Sequence, residues 1–274
     1  MYDLRHAATA RHPVKPPVPP PLMDTPTAAV IIIGNEILSG KTIDQNTPYL
    51  ARNLHALGVD LQRIAVVPDE VPVIAEEVAV CKEQFTWVIT TGGVGPTHDD
   101  VTMAGIAAGV GASLTRHPDL ERRVLERFGP TPNRAQLKMA EAPRGATVIG
   151  LTTDGGPIVR VENIFIFPGV PEYLVRKFEN IKETLRAAPF YGAEIFLDVR
   201  EEAIADLLDE TVVAFPALRL GSYPHVGRTG YRVTLTLESK MASCVTAATR
   251  FLETRLPAGA LLHVKAWNFD LGGG

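Results

Sequence analysis

The stretch Thr90-Thr91-Gly92-Gly93-Val94-Gly95-Pro96-Thr97-His98-Asp99-Asp100-Val101-Thr102 gathers the residues best suited to chemistry. Gly92, Gly93 and Gly95 let a backbone approach a ligand closely and turn its N–H groups outward. A helix expected to start near Val101 adds partial positive charge at the same point, which suits a phosphate, and Thr97 offers a hydroxyl to it. Asp99 and Asp100 stand beside these glycines. One carboxylate would serve as a helix cap. Two exceed that need, and next to an anion-binding loop they suggest a divalent metal shared with phosphate oxygens. His98 is either a ligand or general acid/base near neutral pH, or simply an exposed turn residue.

A second segment, Gly34-Asn35-Glu36-Ile37-Leu38-Ser39-Gly40-Lys41-Thr42, looks like a nucleotide P-loop because it follows a strand and ends in Gly-Lys-Thr. The spacing rejects this: a P-loop sets four residues between its glycines, and here five intervene, one of them acidic. Gly34 is left as a close-approach position and Glu36 and Asp44 as site carboxylates, with Ile37 and Leu38 anchoring the loop to the core. Asp69 follows a strand and so falls on the same edge, either as a site carboxylate or as an ordinary Pro-Asp turn residue. Arg134 and Lys138 stand one helical turn apart. They either clamp a diphosphate or form a solvated face. Pro168-Gly169-Val170-Pro171 reads as a rigid turn shaping a pocket wall. No GxSxG, no HExxH and no GxGxxG opening a helix after the first strand is present.

These residues need a frame. Ala28–Ile33 is a continuous apolar, β-branched run, as expected of a strand covered on both faces. After a loop from Gly34 to Asn46, Thr47 is expected as N-cap with Pro48 at the first helical position. Leu50, Leu54 and Leu57 make the helix face, and Gly58 ends it. A strand over Val59–Val67, a helix with Val71, Ile74 and Val78 inward, and a strand over Trp87–Thr91 complete a β-α-β-α-β order. That order predicts a doubly wound, mostly parallel sheet with its ligand at the strands' carboxyl ends. Helices over Asp119–Phe128 and Asn133–Ala140, a strand over Asn163–Phe167 and a helix to Arg186 follow. Beyond Ala187-Ala188-Pro189 the pattern changes to strand Glu194–Val199, helix Glu201–Glu210, strand Tyr231–Leu237, helix Ala242–Leu256 and strand Ala260–Val264. This predicts a small α+β domain. The boundaries expected are a Pro-rich disordered tail over 1–26, an α/β domain over 27–187, the small domain over 188–266 and a flexible end over 267–274. Met23 stands just before the first strand as an alternative start.

At 274 residues the chain is long enough to bury a core, and its 46% apolar and 21% charged residues match a globular protein. A net charge of −4 gives no reason to expect a nucleic-acid partner. No apolar run approaches a membrane span, and the start lacks the apolar stretch of a signal peptide. Cys81 and Cys244 belong to no metal or redox motif, so two reduced thiols in a cytoplasmic protein are expected.

Together these motifs resemble the molybdopterin-binding (MogA/MoaB-like) domain, in the branch found in CinA-type proteins and at the N-terminus of eukaryotic FAD synthases. The matching stretches are the loop at 34–40, Pro68-Asp69, Thr91–Thr102, Asn133–Lys138 and Phe167–Pro171. In the small domain, Gly221-Ser222-Tyr223-Pro224 and Val233–Ser239 match as well. The resemblance implies a three-layer MogA-like sandwich plus a small C-terminal α+β domain. It implies an acidic, metal-assisted site for a pterin or a dinucleotide phosphate, with Asp69 and Asp100 at acidic positions of the family site. In that branch the domain is associated with hydrolysis of the diphosphate of FAD or ADP-ribose using a divalent cation; in the MogA branch it adenylates molybdopterin. The expected function is thus a metal-dependent nucleotide pyrophosphatase, with adenylyl transfer or a non-catalytic binding module as alternatives. Asp69 and Asp100 are the expected catalytic residues; Asp99, Asp100 and Glu36 the metal ligands, for Mg or Co, with K as a further cation. Gly34, Glu36, Gly92, Gly93, Gly95, Thr97, Arg134 and Lys138 would hold the substrate. A homo-oligomer, dimer or trimer, is the expected assembly. Two departures bear on the ligand: Asn35 replaces the aspartate common in the first loop, and Thr152–Pro157 lacks the family's Gly-Thr-Ala-Pro-Gly form. No synthesising or deamidase domain follows in this sequence, so neither activity is expected of these residues.

Overall fold

A computed structural model describes residues 25–151, 155–225, 227 and 230–268. The expected N-terminal tail lies almost wholly outside the described residues, as do Thr152–Asp154 and most of the expected flexible end. The chain divides into two compact units, Met23–Gly192 with Ala266 onward, and Ala193–Lys265.

The first unit runs β1 (Thr27–Ile33), α1 (Asn35–Leu38), α2 (Asn46–Ala56), β2 (Asp60–Val67), α3 (Val71–Gln84), β3 (Trp87–Thr91) and α4 (Thr102–Gly109). It continues with β4 (Leu114–Arg116), α5 (Pro118–Phe128), α6 (Arg134–Lys138), β5 (Glu141–Pro143), β6 (Thr147–Ile149), β7 (Ile158–Val161), β8 (Ile164–Phe167) and α7 (Pro171–Ile181). Six strands form one sheet in the order β2-β1-β3-β8-β7-β6. β2, β1, β3 and β8 are parallel neighbours, whereas β7 returns antiparallel to β8 and β6 antiparallel to β7. This unit is thus the expected mostly parallel α/β sandwich.

The apolar runs of β1 and β8 explain their position: every residue of Ala28–Ile33 and Ile164–Phe167 is buried, as a strand covered on both faces requires. On one face Ala29, Ile31 and Ile33 pack with Ile74 and Val78 of α3, Ile106 of α4 and Leu120 and Val124 of α5. On the other, Ala28, Val30 and Ile32 pack with Leu50 and Leu54 of α2 and Leu174 and Phe178 of α7. Helices on both faces leave the carboxyl edge of β1, β3 and β8 free for a ligand. Because β7 runs the other way, its start at Ile158 pairs beside the end of β8 (Val159 faces Ile166). The segment Gly155-Gly156-Pro157 therefore reaches that same edge.

Two local expectations are corrected. The segment after Gly34 is not a plain loop, since Asn35–Leu38 forms one helical turn. Thr47 does not cap α2; it is the helix's second residue, and Asp44 does the capping. Oδ1 of Asp44 accepts the N–H groups of Asn46 at 2.9 Å and Thr47 at 3.1 Å. Pro48 still sits in the first turn, where its missing N–H costs nothing.

The second unit is built on β9 (Tyr191–Leu197), α8 (Ala205–Ala214), β10 (Arg219–Pro224), β11 (Val233–Ser239), α9 (Ala242–Glu253) and β12 (Leu261–Asn268). Its strands form a four-stranded sheet, β10-β11-β9-β12. Val245, Ala248 and Leu252 of α9 and Val233, Leu235 and Leu237 of β11 are buried. Cys81 and Cys244 are unbridged. No helix among the described residues is long and apolar enough to cross a membrane.

Candidate functional site

The glycine turn is held by its own backbone. Gly92 N donates to Phe167 O at 3.3 Å, and Thr102 N donates to Gly93 O at 3.1 Å, closing the turn onto the start of α4. Thr102, fully buried, also donates its hydroxyl to Gly92 O at 2.8 Å. Gly92 has φ +106°, and a Cβ there would stand 2.0 Å from the Ile33 carbonyl. Only glycine lets β1 and this turn cross so closely. Downstream the turn folds over Asp100, whose Oδ2 accepts the Thr97 N–H at 2.8 Å and the Thr97 hydroxyl. Lys138 Nζ donates to the Thr97 carbonyl, so the short helix α6 braces the turn from outside.

Asp69 ties β2's end to the loop after β1. Its Oδ2 accepts the Asn35 N–H at 2.8 Å, and its Oδ1 lies 3.4 Å from where a Gly93 Cβ would be. The Glu36 carboxylate folds back over Gly34, with Oε1 2.5 Å from that glycine's would-be Cβ. Sequence reasoning missed Asn46. Buried at the start of α2, it donates from Nδ2 to Thr91 Oγ1 at 3.0 Å and to Gly169 O at 2.8 Å. Thr91 passes its own proton to Pro168 O at 2.9 Å. Asn46 thus joins α2, β3 and the turn before α7, and its Oδ1 has no partner among the described residues.

A cleft of about 960 Å³ opens along this edge. Of the expected residues it is lined by Glu36, Gly92, Gly93, Gly95 and Asp100. Gly34, Asp69, Thr97 and Lys138 are not part of that lining: Asp69 pins the loop after β1 through Asn35, and Lys138 holds the exposed Thr97 from outside the turn. Arg134 does not line it and is exposed on α6, so the expected Arg134–Lys138 clamp is not assembled. His98 and Asp99 face solvent, with 98% and 64% of their side chains exposed. Asp44 is occupied as the α2 cap. The expected pocket wall is present, with Pro168, Gly169 and Val170 lining the cleft.

The cleft's other wall is cationic, which the sequence reading did not anticipate. Arg123 and Arg127 of α5 and Arg176 and Lys177 of α7 line it together with Gly155, Gly156 and Pro157. In sequence these residues look like the solvated faces of two amphipathic helices. The only available signal was the pairing of Arg and Lys on two helices that flank one loop.

Among the described residues no three His, Cys, Asp or Glu side chains lie close enough together to hold a metal ion. Glu36, Asp99 and Asp100 therefore do not form the expected three-carboxylate set. The reason is visible in each: Asp99 points outward, Asp100 is turned onto Thr97, and Glu36 lies over Gly34. A hard cation such as Mg²⁺ needs only one or two carboxylates when phosphate oxygens and water complete its shell. Of the expected ligands only Glu36 and Asp100 line the cleft, so a metal there would have to be held in that mode.

Comparison with known proteins agrees with this architecture. Residues 29–187 match the family model described as "Probable molybdopterin binding domain", and residues 189–265 the one described as "FAD synthase, middle domain". A "Probable FAD synthase" of Caenorhabditis briggsae is 32% identical over 251 residues, covering 81% of this chain and 48% of that protein. A protein of Archaeoglobus fulgidus is 32% identical over 200 residues, covering 72% of this chain and 86% of its own length. The chain spans about half the length of the two nematode FAD synthases it matches. Among solved structures, CinA of Thermoplasma acidophilum, titled as of unknown function, superposes with a TM-score of 0.55. It is 29% identical, over 59% of this chain and 98% of that one. A glycine turn backed by Asp69 and Asp100 on a mostly parallel sheet, and the match of residues 29–187, more than half its length, show that the chain belongs to the molybdopterin-binding domain family.

Proposed function

We propose that the cleft binds a nucleotide carrying a diphosphate and that the chain hydrolyses the diphosphate bond with the help of a divalent cation. The observation that carries this is the Gly92–Gly95 turn. It presents backbone to the cleft at the carboxyl edge of β3, with the carboxylates of Glu36 and Asp100 in the same lining. Backbone N–H groups there suit phosphate oxygens and stabilise the charge that develops on them during displacement. Asp69 and Asp100 position this surface: the first pins the loop bearing Glu36, the second fixes the turn through Thr97. A bound Mg²⁺ or Co²⁺, completed by phosphate oxygens, would supply Lewis-acid polarisation of the phosphoryl group. The diphosphate class is supported by the relatives named FAD synthase and by the matched middle domain.

The test is incubation of the pure chain with FAD, ADP-ribose and NAD plus Mg²⁺ or Co²⁺, following AMP release. Turnover that falls at least a hundredfold in Asp100→Asn supports the proposal, and absence of AMP with every metal and substrate refutes it. The description of the matched family favours a second reading, molybdopterin binding by the same cleft. It predicts a pterin bound to the purified chain and no AMP from dinucleotides.

A further inference from the structure

The cationic wall is not explained by binding one diphosphate at the glycine turn. Arg123 and Lys177 come from helices on different faces of the sheet, α5 and α7, and meet over one residue. A Cβ on Gly156 would lie 3.7 Å from Arg123 Nη2 and 3.6 Å from Lys177 Nζ. Each spends a hydrogen bond on a backbone carbonyl, Arg123 on Leu151 at 2.7 Å and Lys177 on Pro157. Among the described residues neither is paired with a carboxylate, although Glu126 also lines the cleft. Like charges held together without a counter-ion oppose folding, and in a cleft they mark a place for an anion. Burial and the neighbouring Arg123 guanidinium push the Lys177 ammonium down to about 8.

The position specifies the anion further. Gly156 precedes β7, two strands along the sheet from β3, so the strand ends next to Gly156 and next to the glycine turn stand roughly 10 Å apart at the spacing of neighbouring strands. That is beyond the reach of the second phosphorus of a diphosphate already seated on the turn. The group bound there must be a separate anion on the same ligand. A phosphate monoester suits a guanidinium fork and an ammonium side by side.

We infer that Arg123 and Lys177 form a second phosphate subsite of this cleft, so that its preferred ligand is a nucleotide diphosphate ester bearing a phosphate monoester in addition to its diphosphate. This rests on the reading of the glycine turn as the diphosphate site.

Matched pairs that differ by that one phosphate give the test: NADP against NAD, and coenzyme A against dephospho-coenzyme A. Binding to the whole chain is measured by calorimetry in EDTA, where no hydrolysis occurs. At least one phosphorylated member binds tenfold or more tightly than its partner. Arg123→Gln and Lys177→Gln bring the two members within twofold by weakening the phosphorylated member more than its partner, and Arg123→Lys restores part of the gap. Circular dichroism melts of each variant establish that it is folded. Equal affinities within both pairs in the native chain, a gap that survives both variants, or no binding by any of the four overturns the subsite. Failure of the hydrolysis proposal looks different, because a phosphate-dependent gap in EDTA would persist without AMP release in metal.

Discussion

Replacing Thr102 by valine separates the hydroxyl's contribution to the glycine turn from that of the side chain's bulk. Thr102 is fully buried, and its hydroxyl donates to Gly92 O at 2.8 Å while standing 2.5 Å from where a Gly93 Cβ would be. Valine keeps the volume and removes the donor. A buried acceptor stripped of its donor costs about 1–3 kcal/mol. A value near 2 kcal/mol raises the turn's opening equilibrium about thirtyfold, at 1.4 kcal/mol per tenfold. Thr102→Ser is the control. It keeps the donor and loses one methyl, at about 1 kcal/mol of burial and cavity cost. Amide hydrogen exchange is the direct assay. In Thr102→Val the amides of Gly93, Val94 and Gly95 exchange about thirtyfold faster than in the native chain, and in Thr102→Ser within about fivefold of it. Thermal melting falls by about 6 °C for the valine variant, at 2–4 °C per kcal/mol. Native-like exchange at these amides in Thr102→Val, or equal loosening in both variants, would refute the view that this hydroxyl sets the shape of the turn.

Three further outcomes follow from the geometry. Gly92→Ala puts a methyl 2.0 Å from the Ile33 carbonyl at φ +106°. It should destabilise by about 3 kcal/mol or more, read as a lowered urea midpoint, because both strain and overlap act at one residue. Asp69→Asn keeps an acceptor for the Asn35 N–H and should stay within about 1 kcal/mol of native stability. Its AMP release should nonetheless fall at least a hundredfold, whereas Asp69→Ala should lose stability as well. Lys177 titrates near 8 when folded against 10.5 for a free side chain. Between those values the unfolded chain holds a proton that the folded one has shed, so stability rises with pH from 8. Arg123 on α5 and Arg176 beside it on α7 face this group, and no described carboxylate pairs with it. Cys81 works the other way, pushed up to about 12 by burial and by its bond to Glu77, but only above pH 9. Denaturant midpoints should therefore climb from pH 8 to 9 in the native chain and stay flat in Lys177→Met.

The parallel half of the sheet was legible because long apolar runs and helical stripes leave few alternatives. Ala28–Ile33 needs cover on both faces, and Leu50, Leu54 and Leu57 share one side of a helix. The glycine turn was legible for the same reason: three glycines after a buried strand have a backbone meaning of their own. The antiparallel strands β6 and β7 were not found, because three- and four-residue segments such as Thr147–Ile149 and Ile158–Val161 carry too little alternation to register. The cap of α2 was misplaced because the helix starts before Thr47: Asp44 accepts the N–H groups of Asn46 and Thr47, so Thr47 already lies inside the first turn. Asn46 and the Arg123–Lys177 pair escaped because each depends on chain segments distant in sequence meeting at one point. No local pattern distinguishes an arginine facing a cleft from one facing water.

The reversal of direction at β7 has a consequence for how such a cleft can change over time. At the glycine turn the main chain supplies the recognition, and a point mutation can alter it only by damaging the crossing at Gly92. At the Gly155–Pro157 segment the chain enters a strand by a hairpin return, with no helix start pointing at the ligand. Positive charge there has to come from side chains borne on α5 and α7. One end of the cleft is therefore fixed by geometry, while the other is open to single substitutions that leave the fold untouched. A lineage could exchange the charges at the second end one residue at a time and still keep the glycine-turn end intact.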